Sequence, residues 1–338
     1  MSPIVALVIG FGLLVLGGEL LVRGAVRAAE CFGVSPLMIG IVLVGFGTSV
    51  PEMVISVYAA IQDSPGIAIG NFVGSSIANI LLILGLSAMF MPIGVSSKAL
   101  SRDGLVVMAS ATAFAIVSLI YTLDRLVGGA FLLWLISYLV YAWRQERVAT
   151  TGDDHTSAQL RGEAHEHFQQ ADIKSRLAAG VRASLPAAIA LLMAAAGLAV
   201  LIVGGKILVD GAVELARIYK IREDVIGLTI VAVGTSMPEL VTSLVAALRK
   251  QSAVAVGNIL GSNIYNVLGV GGMTGLLVPT AVPVHIAYQD NFIMIASGLA
   301  LMLFAWSGMR ITRLEGAVMF AAYIAYICWL LPPGAFAA

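Results

Sequence analysis

Apolar residues in this chain gather into long runs at roughly 3–30, 35–61, 66–92, 104–121, 126–143, 184–216, 224–248, 253–279, 291–308 and 314–331. A helix needs about 20 such residues to cross the hydrocarbon core of a bilayer, so each run predicts one transmembrane helix. Polar residues collect between the runs, above all over residues 144–182, which also carry His155, His165 and His167. At 59% apolar and 11% charged over 338 residues, the composition excludes an ordinary soluble domain and fits an all-α polytopic membrane protein. The chain begins Met-Ser-Pro-Ile-Val, without a basic leader or small-residue cleavage site, so the first run is expected to persist as a helix.

An internal repeat organises the ten runs. GFGTSVPEMVIS at 45–56 matches AVGTSMPELVTS at 232–243, and GNFVGSSIAN at 70–79 matches GNILGSNIYN at 257–266, all at one offset of 187 residues. The same offset pairs Gly17 with Gly204, Gly24 with Gly211, Gly40 with Gly227 and Asp103 with Asp290, then slips by one to pair Arg125 with Arg313. Each copy holds five spans, and an odd number of crossings inverts the second copy relative to the first. The expected fold is therefore ten transmembrane helices as two inverted five-helix repeats, residues 1–143 and 184–338, joined by a linker over 144–183.

Charge placement adds an orientation. With the N-terminus outside, fourteen lysines and arginines fall on inward ends and loops, and only Arg125, Arg217, Lys220 and Arg222 fall on outward ones, with Lys206 inside a span. Positive charge is retained on the cytoplasmic side, although six of the fourteen lie in the long loop over 144–183, where the rule weakens. Both termini are expected outside and the linker in the cytoplasm, in the plasma (inner) membrane. The net charge of zero argues against a nucleic-acid partner; the lipid bilayer is the expected environment, and a homo-oligomer is compatible with the sequence. The histidines of the linker are expected to be solvated rather than metal-bound, and Cys31 and Cys328, far apart, are expected in core packing.

The repeated motifs carry the chemistry. Gly-Thr-Ser-x-Pro-Glu lies in the middle of the second and seventh spans, where proline removes a backbone donor and crowds the carbonyl of Gly47 or Gly234, so the helix must break. Irregular backbone at membrane depth survives only inside protein or beside a hydrated cavity, and an ionisable residue there is a functional candidate by default. Glu52 and Glu239 follow the break directly, beside Thr48, Ser49, Thr235 and Ser236, and no histidine or cysteine joins them. Carboxylates, hydroxyls and carbonyls are ligands for hard cations such as Ca²⁺ and Na⁺ rather than for softer transition metals. In the companion motif Ser75 and Asn79, like Ser262 and Asn266, are four apart and share a helical face, suited either to complete an ion cage or to bond between helices. Glu19 and Arg23, and their mates Lys206 and Asp210, are expected to form i,i+4 ion pairs, with a gating role as the alternative.

At these motifs the chain resembles the cation/calcium antiporter superfamily, in its prokaryotic sodium/calcium exchanger branch, whose two alpha-repeats carry Gly-Thr-Ser-x-Pro-Glu and Gly-Ser-x-Ile-x-Asn or Asp. The resemblance covers both repeats. It implies ion sites formed by the second, third, seventh and eighth helices while the first and sixth slide across them. It implies Thr48, Ser49, Glu52, Ser75 and Asn79 as ligands in one copy and Thr235, Ser236, Glu239, Ser262 and Asn266 in the other, joined by carbonyls near Gly45 and Ala232. Relatives have aspartate where this chain has Asn266, so two acids stand where those have three. The glutamate after Gly-Asn that marks the proton/calcium branch is absent.

The expected activity is secondary antiport of Na⁺ against Ca²⁺, extruding calcium, with both ions as cargo and no cofactor. A proton- or K⁺-coupled antiporter of the same fold is the nearest alternative, because the third acid is missing. An intramembrane metalloenzyme is disfavoured by the lack of His-Glu-x-x-His or a nucleophile–base pair in the spans. A channel could use the same ligands, but inverted repeats favour a carrier.

Overall fold

The computed structural model describes residues 2–119, 122–152, 187–218, 234 and 236–330. Helix α1 (Pro3–Phe32) begins behind Ser2, whose Oγ accepts from the Val5 amide, and ends at Gly33, whose φ of 61° is a left-handed cap that costs glycine nothing. Then come α2 (Pro36–Thr48), α3 (Val50–Ile61), α4 (Pro65–Phe90), α5 (Ala99–Ser118) and α6 (Arg125–Gly152). The second copy supplies α7 (Ala187–Ile218), α8 (Met237–Leu248), α9 (Ser252–Leu277), α10 (Ile286–Gly308) and α11 (Arg313–Leu330).

Among the described residues eight helices are long and apolar enough to span a membrane, and the bent pair α2–α3 makes a ninth. Of the predicted run 224–248 only α8 and Gly234 and Ser236 before it are described, so its first half lies outside the described residues. The linker, with His155, His165 and His167, also lies outside them.

The bundle is inside-out relative to a soluble protein. Leu126, Trp306 and Leu314 are exposed on its surface, while Thr48, Glu52, Asn79, Glu239 and Asn266 are buried. Lipid is as good a solvent for leucine as a protein core is, so apolar side chains can cover the surface and leave the interior to small and polar groups. Cys31 and Cys328 correct the expectation of core packing: both are exposed, at outer positions that lipid can cover as well as a core could.

Glycine sets the closest contacts. Along α1 and α7, Gly10, Gly17 and Gly24 and their mates Gly197, Gly204 and Gly211 recur every seventh residue on the contacting faces. A Cβ on Gly10, Gly17 or Gly24 would stand 2.6 Å from the Leu208 nitrogen, 2.7 Å from that of Leu201 and 2.5 Å from that of Ala194, so the two helices touch backbone to backbone. At α2 and α9, Gly40 and Gly45 meet Gly257 and Gly261 in the same way.

Two short ribbons tie the copies together. β1 (Ile93–Gly94) pairs antiparallel with β4 (Arg310–Ile311), and β2 (Thr122–Leu123) with β3 (Thr280–Ala281). β1 and β2 flank α5, so the ties stand at opposite ends of one spanning helix, as inverted copies require.

Runs of π-helix interrupt the spans, a feature that the apolar pattern does not predict. Gly40–Gly45 leads up to the break in α2–α3, Asn79–Leu84 lies in α4 and Tyr265–Gly271 in α9, with further runs at Ala99–Gly104 and Ile286–Asp290. The runs in α4 and α9 are repeat mates, as are the last two. Such wide turns are uncommon and concentrate at functional sites.

The ion pair of Glu19 and Arg23 forms, but Arg23 is more than half exposed, and Glu19 also takes Arg249 from the end of α8. The expected pair of Lys206 and Asp210 does not form: both are exposed, and no ion pair joins them among the described residues. Gln62, the mate of Arg249, is neutral and offers Lys206 no cross-helix counterpart.

Candidate ion-binding site

The proline motif breaks the second span as its chemistry requires. Between α2 and α3 the chain bends by 41° at Ser49, and Pro51 opens the first turn of α3. Pro238 holds the same place in α8, so Glu52 and Glu239 both lie in the first turn of a helix, where unpaired amides and the helix dipole favour a carboxylate. Each is 1% exposed.

Two contacts bring the copies together around them. The Oγ1 of Thr48 lies 3.1 Å from the Val44 carbonyl, 3.2 Å from Oδ1 of Asn258 and 3.3 Å from Oγ of Ser262, which itself is 3.5 Å from the Gly45 carbonyl. On the other side the Ser236 hydroxyl is 3.4 Å from Oε1 of Glu52 and 3.4 Å from Oγ of Ser75. Thr48, Ser49, Glu52, Ser75, Asn79, Ser236, Glu239, Ser262 and Asn266 are all buried. Thr235 and Ala232 fall outside the described residues.

The positions that lack partners are informative. Six of the eleven buried side-chain atoms without a hydrogen bond among the described residues belong to this group: Oγ of Ser49, Oε2 of Glu52, both amide atoms of Asn79, Oε2 of Glu239 and Oδ1 of Asn266. An unmade hydrogen bond on a buried polar group costs about 1–3 kcal/mol, more for a charge, so each of these atoms calls for a partner beyond those the described residues supply. Five of the six are oxygens. An oxygen set with two carboxylates suits a hard cation, whose charge also offsets the burial of both glutamates.

A pair of asparagines missed in the sequence fixes the glutamate helices in place. Nδ2 of Asn71 donates to the Glu52 carbonyl at 3.0 Å and to Oγ of Ser56 at 3.0 Å. In the second copy Nδ2 of Asn258 donates to the Glu239 carbonyl at 3.3 Å and to Oγ of Ser243 at 2.8 Å. The signal was available: Asn71 and Asn258, Ser56 and Ser243 all obey the repeat offset, and each serine stands four residues after its glutamate. The Oδ1 of Asn258 also meets Thr48 of the other copy; the mate of Thr48, Thr235, lies outside the described residues.

Comparison with known proteins agrees with this architecture. A family model described as sodium/calcium exchanger protein matches residues 2–144 and 189–331. The chain is 33% identical to the putative antiporter CaxA of Alkalimonas amylolytica, covering 94% of this chain and 95% of that protein. It is 33% identical to the sodium/calcium exchanger MaX1 of Methanosarcina acetivorans, covering 95% and 96%. Among solved structures, the sodium-calcium exchanger NCX_Mj soaked with Na⁺ and Ca²⁺ superposes with a TM-score of 0.80 at 30% identity, over 98% of this chain and 100% of that one.

Proposed function

Because this chain belongs to the sodium/calcium exchanger protein family, and so to the multi-pass cation/Ca²⁺ antiporters, we propose that it exchanges Na⁺ for Ca²⁺ at Glu52 and Glu239. The observation that carries the proposal is the group of unpartnered buried oxygens on Ser49, Glu52, Asn79, Glu239 and Asn266, drawn from both copies. Ca²⁺ sits between the two carboxylates with Thr48, Thr235 and the carbonyls near Gly45 and Ala232. Na⁺ ions take overlapping oxygens that include Ser49, Ser75, Asn79, Ser236, Ser262 and Asn266.

Coupling follows from shared charge. Either cargo neutralises the same two carboxylates, so one must leave before the other binds, and only a neutralised site can be closed off from water inside the membrane. The working units are the repeats 1–143 and 184–338, with the 144–183 linker in the cytoplasm and both termini outside. An inward sodium gradient then drives calcium out. If more than two Na⁺ move per Ca²⁺, each net charge contributes about 2.3 kcal/mol per 100 mV of membrane potential.

One observation favours a second reading. Asn79 and Asn266 are both neutral, which leaves the centre two carboxylates, so K⁺ or protons as the coupling ion is the alternative. The first reading is tested by Glu52→Gln and Glu239→Gln in proteoliposomes. Sodium-driven calcium flux should fall to that of protein-free vesicles in both, and undiminished flux in either rules out that glutamate as a ligand.

A further inference from the structure

Asp103 and Asp290 are repeat mates in different circumstances. Each accepts a tyrosine hydroxyl, Asp103 from Tyr138 at 2.8 Å and Asp290 from Tyr326 at 2.9 Å, and these tyrosines are mates as well once the one-residue slip is counted. Asp103 is also held by Arg102, whose Nε and Nη2 donate to its two oxygens at 2.6 and 3.1 Å, and Arg102 reaches on to Glu146 at 3.1 Å. The mate of Arg102 is Gln289. Asp290 is therefore a carboxylate only 6% exposed with no cationic side chain within 4 Å among the described residues. Burying a charge without a counter-charge is unfavourable enough that one is normally supplied.

The surroundings say where the counter-charge comes from. A cavity of about 450 Å³ has Asp290 and Tyr326 in its wall, the exposed His285 beside them, and Asn71, Ser75 and Ser236 in its lining as well. Ser236 is the hydroxyl 3.4 Å from Glu52. One cavity thus extends from Asp290 to Ser75 and Ser236, and the Ser236 hydroxyl separates it from Glu52.

Resting on the exchange reading above, we propose that Asp290 and Tyr326 form an antechamber that captures a hydrated hard cation, Na⁺ or Ca²⁺, before it moves to Glu52 and Glu239. The pseudo-symmetric position at the other face is occupied permanently by Arg102, so capture is built into one face only. The cation exchanges its hydration water for a carboxylate oxygen of Asp290, the Tyr326 hydroxyl oxygen and the Ser75 and Ser236 hydroxyls in turn. No covalent step is involved.

The test is calcium uptake by oriented proteoliposomes at low ionic strength, with calcium varied on the face that bears the β2–β3 ribbon. A like-signed charge in a narrow cleft raises local counter-ion concentration by about tenfold or more, so Asp290→Asn should raise the half-saturating calcium concentration about tenfold while maximal rate is retained. Asp290→Glu should restore it. Gln289→Arg, at an exposed position that tolerates the change, should reproduce the defect by importing the guanidinium of the first copy, and it keeps the test available if Asp290→Asn fails to reach the membrane. Unchanged half-saturation in both Asp290→Asn and Gln289→Arg overturns the antechamber and shows that Asp290 is neutralised by a proton instead. Calcium flux that survives both glutamate substitutions overturns the exchange reading, and this one with it.

Discussion

The protein buries charge in two places and treats them in opposite ways. At the end of α5, Arg102, Asp103, Tyr138 and Glu146 satisfy one another with bonds of 2.6 to 3.1 Å, and nothing need be added. In the proline-motif helices, Glu52 and Glu239 each keep one carboxylate oxygen without a partner among the described residues, as do atoms of Ser49, Asn79 and Asn266. Burial alone therefore does not mark a site: the first cluster closes its own charge, while the second leaves carboxylate oxygens open, as the proposed cation would require.

Substitutions can break this contrast, and the largest effect is expected on transport. Glu52→Gln should abolish calcium exchange yet leave thermal stability in detergent without calcium unchanged or higher, because it removes a buried charge that has no counter-charge among the described residues. A large loss of stability together with transport would place Glu52 in the scaffold. Arg102→Met is the converse: it leaves Asp103 and Glu146 buried without their cation and should cost about 3–5 kcal/mol of stability, read as a lowered melting temperature. Unchanged melting would show that the cluster is not held by its own charges.

Smaller effects sharpen the comparison. Asn258→Leu removes the donor to the Glu239 carbonyl and to Ser243, and about 1–3 kcal/mol should be lost with weakened calcium affinity. Asn71→Leu removes the donor to the Glu52 carbonyl and to Ser56 and should cost a similar amount. Unchanged calcium titrations in both variants would show that these amides do not hold the glutamate helices in place. Least of all, Arg249→Ala breaks an exposed pair with Glu19 and should cost under about 1 kcal/mol, diminishing further in high salt.

Much of this was written in the sequence because duplication is a sequence-level fact. Glu52 and Glu239 behind a proline at the head of a helix, and the buried repeat pairs Ser75 and Ser262, Asn79 and Asn266, all follow from one offset and the backbone chemistry of proline. The orphaned oxygens could not be read, since a missing partner is a property of packing. The π-helical runs at Asn79–Leu84 and Tyr265–Gly271 escaped for a related reason: local apolar pattern is the same for an α and a π turn, and neighbouring helices decide between them. The pair of Lys206 and Asp210 failed because helical spacing permits an ion pair without requiring it, and no second partner holds either residue among the described residues.

The central claim is that the open carboxylate pair couples calcium to sodium. Radiolabelled calcium uptake into proteoliposomes, under sodium, potassium and proton gradients imposed one at a time, tests it most directly. Uptake should be driven by an outward sodium gradient and should be absent when Glu52 or Glu239 is replaced by glutamine. Uptake that follows only the potassium or proton gradient, or that ignores both glutamates, would contradict it.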